Sequence, residues 1–233
     1  MGSMLTDLRG IAQQGAVELG SDASAEEVLQ WGAATFGHHM IVASNMQDAV
    51  LVDLAATALP GVDVLFLETG YHFAETIGTR DAVDAVYPRL RIVDAQADQT
   101  VAEQDAEYGP KLHDRDPDLC CALRKVAPLA TSLDGYDAWA TGLRRDETRN
   151  RVIAPVIGWD DKKRKVKVSP LARWTADDVD RYIDENNVLV NPLQYDGYPS
   201  IGCWPCTRRV APGEDPRSGR WAGTGKTECG IHA

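Results

Sequence analysis

The chain has 233 residues, of which 44% are hydrophobic and 25% charged, and its formal net charge is −11. That length allows one large domain or one domain with an appendage, and so acidic a chain argues against a nucleic-acid surface, which needs a basic field to neutralise phosphates. No run approaches the ~18 apolar residues of a membrane-spanning helix and no basic-then-apolar leader opens the chain, so no membrane partner and a cytoplasmic location are expected.

Residues 1–24 read as an N-terminal segment, and its Met1-Gly2-Ser3 opening looks like a tag remnant ahead of Met4. A helix is predicted over 22–37, capped by Asp22 or Ser24, with Val28, Leu29, Ala33 and Phe36 on one apolar stripe. A buried strand follows over 39–43, a helix over 48–59, a strand over 62–67, a helix over 73–87 and a strand over 90–93. This alternation predicts an α/β fold with a parallel sheet flanked by helices. A short helix over 118–126 carries Cys120 and Cys121, and a strand is expected within 137–142. Residues 152–168 read as a β-ribbon turning near Lys162-Lys163-Arg164. Thr175 caps a helix running to Asn186, with Asp178 completing a capping box. From Asn191 onward Gly and Pro are frequent, and that stretch holds three of the five cysteines. The expected organisation is an α/β domain over 25–190, followed by an active-site tail over 191–233.

The cysteines carry most of the chemistry. Their odd count in a chain expected to be cytoplasmic argues against a disulfide framework. Four metal ligands plus one free thiol is the better partition. Cys203-Trp204-Pro205-Cys206 is a CxxC in which Pro205 gives a rigid turn; by itself it is redox-active, metal-binding or incidental. Cys120 and Cys121 are adjacent, so their thiols diverge on a helix. Zinc sites space paired ligands by two to four residues, whereas a cluster offers several metal corners and accepts diverging ligands. The pattern favours a [4Fe–4S] centre over zinc, with buried inert cysteines as the alternative.

Three stretches then resemble the bacterial assimilatory adenylyl-sulfate reductases, sulfonucleotide reductases in the wider PP-loop group of adenine-nucleotide α-hydrolase-like proteins. They are Cys120-Cys121-Ala122-Leu123-Arg124-Lys125-Val126-Ala127-Pro128-Leu129, Ile201-Gly202-Cys203-Trp204-Pro205-Cys206-Thr207-Arg208 and Lys226-Thr227-Glu228-Cys229-Gly230-Ile231-His232. The resemblance implies a [4Fe–4S] cluster on Cys120, Cys121, Cys203 and Cys206 and a nucleophile at Cys229. It implies reduction of adenosine 5′-phosphosulfate to sulfite and AMP, with thioredoxin as reductant. The chemistry agrees: a thiolate attacks the electrophilic sulfur, AMP leaves and an S-sulfocysteine remains. No second free thiol would be left in the chain, so an external dithiol must discharge the sulfite. Lys226, Arg220 and His232 lie close enough in sequence to acidify the thiol. A homo-oligomer is neither required nor excluded.

The nucleotide site is expected in three further stretches. Ser44-Asn45-Met46-Gln47-Asp48 joins a strand to a helix N-terminus, where free N–H groups attract phosphate; it occupies the place of the PP-loop without that loop's glycines. Leu67-Glu68-Thr69-Gly70 resembles the family's LDTG element with Glu68 in place of aspartate. Arg144, Arg145 and Arg149 lie in a stretch resembling the family's arginine loop, and guanidinium forks match phosphate oxygens. Lys125, Arg217, Arg220 and His232 match residues the family places around the phosphosulfate. Two other readings compete. An ATP-dependent PP-loop ligase would show a glycine-rich SGGxDS, which is absent. A nucleotide-binding sensor with a metal site would not need a cysteine between Glu228 and Gly230.

Overall fold

The computed structural model describes residues 7–232; the tag-remnant reading falls on residues outside these. The strand β1 (Met40–Ala43) lies at the middle of a six-stranded sheet. It pairs in parallel with β2 (Asp63–Glu68) on one side and with β4 (Ala138–Thr141) on the other, Ile41 standing opposite both Asp63 and Trp139. The sheet extends past β2 through β3 (Arg91–Gln96) and past β4 through β6 (Lys165–Val168), both parallel. The strand β5 (Ile157–Asp160) closes that edge antiparallel to β6, the predicted ribbon.

Side chains alternate across the sheet, and the two faces bury different partners. Met40, Val42, Val64, Phe66, Ala140 and Val168 point into the larger core. That core is covered by α1 (Leu8–Leu19), α2 (Ala25–Phe36), α3 (Val50–Ala58) and α9 (Ala176–Asn186). Ile41, Leu65, Ala95 and Trp139 point the other way, against Leu129 and Leu133 at the end of α8 (Ala127–Ser132) and against Ile231 of the tail. Capping is local and legible: Ser24 with Glu27 starts α2, and Thr175 with Asp178 starts α9, each with both reciprocal hydrogen bonds.

The helix α4 (Ala74–Val86) follows β2 as expected. Further helices go beyond the predicted elements. Helix α1 contains Gly10 and Gly15, and each costs about 1 kcal/mol of helix propensity. Gly15 is needed there, because a Cβ would overlap the Trp31 ring of α2. Helix α5 (Val101–Tyr108) is polar but is started by a Thr100–Glu103 capping box. The segment predicted as one helix over 118–126 is instead two pieces after the short α6 (Leu112–Arg115). Helix α7 (Pro117–Cys121) runs into a π-turn over Ala122–Val126, and α8 continues from it.

In the order β3-β2-β1-β4 the chain reverses direction of progress between β1 and β4. In open α/β sheets that reversal leaves a crevice at the carboxyl ends of the strands, where ligands bind.

Candidate active site

A cavity of about 200 Å³ opens at this point. Its floor is the carboxyl ends of three strands: Ala43 and Ser44 at the end of β1, Leu67 near the end of β2, Thr141 and Gly142 at the end of β4. The Ser44–Asp48 loop is tight although it has no glycine. Met46 takes the left-handed backbone conformation, φ 57°, at a cost of about 1–2 kcal/mol for an L-residue. The surrounding structure holds it there. The Met46 N–H donates to Ser44 Oγ at 3.2 Å, the Met46 carbonyl accepts from Asn191 Nδ2 at 3.1 Å, and the side chain is fully buried. Gln47 stitches the loop to the tail, its side-chain oxygen accepting from the Ile201 N–H at 3.0 Å. Asp48 accepts from the Val50 N–H at 3.1 Å at the start of α3, and burial pushes its carboxyl above the ordinary range.

The cavity's wall is cationic where the tail comes in. Lys125, Arg144, Arg151, Arg217 and Arg220 line it together with Cys229 and His232. Lys125 extends from the π-turn between two sets of sulfur. Burial alone would favour losing its proton, but Cys203, Cys229 and Cys121 around it more than reverse this and hold the ammonium charged. Arg220 donates to the Ile201 carbonyl at 3.0 Å, and its guanidinium lies 4.5 Å from the centre of the Trp221 ring. A side chain at position 202 would overlap this guanidinium, which gives Gly202 its place before Cys203. Burial and the neighbouring Arg217 lower the Arg220 pKa. Among the described residues, five buried side-chain nitrogens or oxygens find no hydrogen-bond partner, and four of them belong to cavity-lining Trp139, Arg220, Trp221 and His232. Orphaned polar atoms are rare inside proteins, and their concentration here marks the cavity as a place for a polar ligand.

Behind Lys125 lies a second, small cavity lined by Cys120, Cys121, Cys203 and Cys206. Helix α7 supplies the first pair and a 3₁₀ turn over Trp204–Cys206, begun by Cys203, supplies the second. Backbone hydrogen bonds fix the turn: Trp204 N–H to the Tyr71 carbonyl at 2.8 Å, and Trp221 N–H to the Cys206 carbonyl at 2.9 Å. Thr69 Oγ1 lies 3.3 Å from Cys203 Sγ. Buried Arg124 braces the same loop, donating to the Thr69 and Gln99 carbonyls and to Gln104. Burial, and then the neighbouring sulfurs, push the Cys120 thiol up to about 12; burial and then Cys203 push Cys206 up to about 11. Four thiols gathered away from water form a donor set suited to a thiolate-bound metal centre, since binding removes protons that burial otherwise retains. Among the described residues no three His, Cys, Asp or Glu side chains are grouped to hold one ion. The four cysteines line one shared cavity, and a cluster with separate metal corners is the kind of centre such spread ligands could hold.

Of the residues singled out from the sequence, Ser44, Asp48, Leu67, Thr69, Lys125, Arg144, Arg217, Arg220, Cys229 and His232 line the larger cavity. Glu68, Gly70, Arg145 and Arg149 do not. Glu68 turns back to accept from the Gly70 N–H at 2.7 Å, and Arg145 donates to the Ala154 carbonyl at 2.8 Å. Arg149 is exposed on a short 3₁₀ turn. Lys226 pairs with Asp118 and acts on Cys121. Residues absent from the candidate set also line the cavity: Arg151, Glu147, Glu228, His72 and Trp139. Arg151 belonged to a visible basic run and Glu228 to the cysteine motif, but nothing in the sequence pairs them.

Comparison with known proteins agrees with this architecture. A family model described as the phosphoadenosine phosphosulfate reductase domain matches residues 38–209. A relative from Streptomyces coelicolor, named adenosine 5′-phosphosulfate reductase, is 62% identical, covering 97% of this chain and 95% of its own length. Relatives of the same name from Mycolicibacterium smegmatis and Mycobacterium tuberculosis are 60% and 53% identical over the same shares. Among solved structures, a phosphoadenylyl-sulfate reductase from Candida auris in a phosphate complex superposes with a TM-score of 0.71 at 29% identity, covering 87% of this chain and 98% of that one. The FMN adenylyltransferase of Candida glabrata, 13% identical with a TM-score of 0.55, covers 87% of this chain and 65% of that one and shares the fold alone. The chain belongs to the phosphoadenosine phosphosulfate reductase domain family, and within it to the adenosine 5′-phosphosulfate reductases.

Proposed function

We propose that this chain reduces adenosine 5′-phosphosulfate to sulfite and AMP in assimilatory sulfate reduction and cysteine biosynthesis, in the cytoplasm, with thioredoxin as the external reductant. The observation that carries the reading is that Cys229 shares a cavity with Lys125, Arg217 and Arg220, at the carboxyl ends of the central strands. A phosphosulfate placed there meets cations for its oxygens and a thiol for its sulfur. The Cys229 thiolate attacks the sulfuryl sulfur; the S–S bond forms as the S–O bond to AMP breaks. AMP leaves with the electron pair, and an S-sulfocysteine remains. A thioredoxin thiolate then attacks Cys229 Sγ, sulfite departs with the bonding pair, and the second thioredoxin thiol resolves the mixed disulfide. The two electrons come from the dithiol.

Residues 25–190 form the nucleotide-binding unit in this reading and 191–233 the tail that brings Cys203, Cys206 and Cys229 to it. Ser44, Asp48 and Arg144 would contact the nucleotide. Cys120, Cys121, Cys203 and Cys206 would hold a [4Fe–4S] cluster, which when bound would supply an anionic, sulfur-rich centre next to Lys125. Lys125 would orient the sulfonate between that centre and Cys229. The test is sulfite release from adenosine 5′-phosphosulfate and from its 3′-phosphorylated form, with reduced thioredoxin supplied. A strong preference for the unphosphorylated nucleotide is expected, because an unpaired extra phosphate in a closed cavity is costly. Equal efficiency would place the chain on the other branch.

A further inference from the structure

We propose that Arg151 and Glu228 form a latch that positions Cys229 in the cavity and releases it to the reductant. The proposal rests on Cys229 being the nucleophile. Glu228 is the residue before the thiol, and its carboxylate is taken by a guanidinium fork. Arg151 Nε donates to Oε1 at 2.8 Å and its terminal nitrogen to Oε2 at 2.6 Å. Thr148 Oγ1 adds a third hydrogen bond to Oε1 at 3.1 Å. Such planar bidentate pairs fix direction as well as distance, so they set where the adjoining Cys229 backbone lies. Beyond the thiol, Gly230 turns in the left-handed region at φ 85°. The Ile231 carbonyl then accepts from Lys163 Nζ at 2.9 Å, and the His232 ring stacks on Trp139, 5.8 Å between centres. The thiol is thereby held on both sides.

What makes the pair a latch is its second carboxylate. Arg151 also pairs with Glu147, which stays on the body of the protein, accepting from the Arg144 N–H at 3.1 Å. Breaking one partner of a buried pair normally strands a charge. Here the side chain of Arg151 is 10% exposed, yet when the terminal segment from Glu228 onward leaves, Arg151 keeps Glu147, while Glu228 passes into water. Arg217 stands 3.8 Å from both carboxylates and can follow either. The arrangement thus has two satisfied states. In the closed state the thiol faces the cavity, and in the open state it can meet a macromolecular dithiol that the 200 Å³ cavity could not admit.

The test uses the anaerobic holoenzyme without nucleotide. Neutral iodoacetamide is the probe, and alkylation of the Cys229 peptide is followed by mass spectrometry across pH, so that exposure separates from thiol acidity. Arg151→Gln and Glu228→Gln should each raise the pH-independent rate about tenfold to a hundredfold, the worth of a charge-assisted contact. The double variant should add little to either, because both singles break one contact. Arg151→Lys should recover part of the wild-type rate. Glu228→Gln lies on the tail and tests the idea even if Arg151→Gln folds poorly. Wild-type rates in Glu228→Gln, or fully additive effects in the double variant, would overturn the latch. Failure of the nucleophile reading would look different: Cys229 would be released by these substitutions as expected, while the AMP burst and sulfonate adduct mapped to another residue.

Discussion

Four of the five cysteines are held by backbone and the fifth by side chains. Cys120 and Cys121 ride on a helix continuous with the π-turn and α8, and Cys203 and Cys206 bracket a turn pinned by main-chain hydrogen bonds to Tyr71 and Trp221. Nothing in that arrangement can move far without breaking secondary structure. Cys229 hangs between Glu228, Ile231 and His232, each attached through a few polar or stacking contacts. A permanent ligand set needs the first kind of support. A group that must meet two different partners in turn needs the second, where the free energy of opening is that of a handful of contacts.

The largest difference between the two kinds of support is expected at the sulfurs themselves. Cys229→Ser should form no sulfonate adduct and release no AMP in the absence of reductant, against one adduct per site in the wild type, because an alkoxide is scarcely available near neutral pH. Intact mass spectrometry with adenosine 5′-phosphosulfate checks this. Serine at any of the other four positions should instead cost the metal centre, expected at about four iron and four labile sulfide per chain. Stoichiometric zinc without sulfide would dismantle the quartet's half of the comparison.

A core change and a tail change should part company. Leu29 is fully buried on α2 in the larger core, on the face away from the tail. Leu29→Ala should lower unfolding free energy by about 2–5 kcal/mol in calorimetry, with Cys229 alkylation unchanged in the folded protein. Lys125→Ala, which removes the cation between the two sulfur sites, should lower kcat/KM by about tenfold to a hundredfold, or ~1.5–3 kcal/mol. Wild-type kinetics would separate the two sites electrostatically.

The smallest effect expected is on pH. Burial, and then the cations Lys167, Arg151, Lys163 and Arg217, depress the His232 pKa well below its ordinary value. The closed tail therefore favours neutral imidazole. Its contribution is present above the open-state pKa of about 6.5 and is lost as pH falls below that, since only the open tail takes up the proton easily. Amide exchange over 226–232, corrected for its intrinsic pH dependence, should accelerate between about pH 7.5 and 5.5, and His232→Asn should flatten the change.

The strands and most helices were legible because their signals are local. Short continuous apolar runs mark β1 and β2, which are buried on both faces, and Ser24-x-x-Glu27 and Thr175-x-x-Asp178 announce their helices. Helix α1 was hidden by two glycines, of which Gly15 makes room for a partner on the next helix, Trp31. The arginine run shows the limit most plainly. Arg144, Arg145, Arg149 and Arg151 look alike in sequence, yet Arg144 and Arg151 reach the cavity, Arg145 braces a carbonyl and Arg149 faces water. A turn of a few residues decides which way each guanidinium points, and no local propensity encodes that.

The sequence by itself determined the fold class, the separation of four cysteines from a fifth, and the family, because these depend on periodicity and on residue types at fixed spacings. Only the tertiary structure decided that Cys120 and Cys121 share a cavity with Cys203 and Cys206, that Lys125 stands between them and Cys229, and that Glu228 answers Arg151. Those contacts join residues roughly eighty to a hundred positions apart in sequence. They form because the reversal of strand order between β1 and β4 leaves a crevice that the tail folds back to fill.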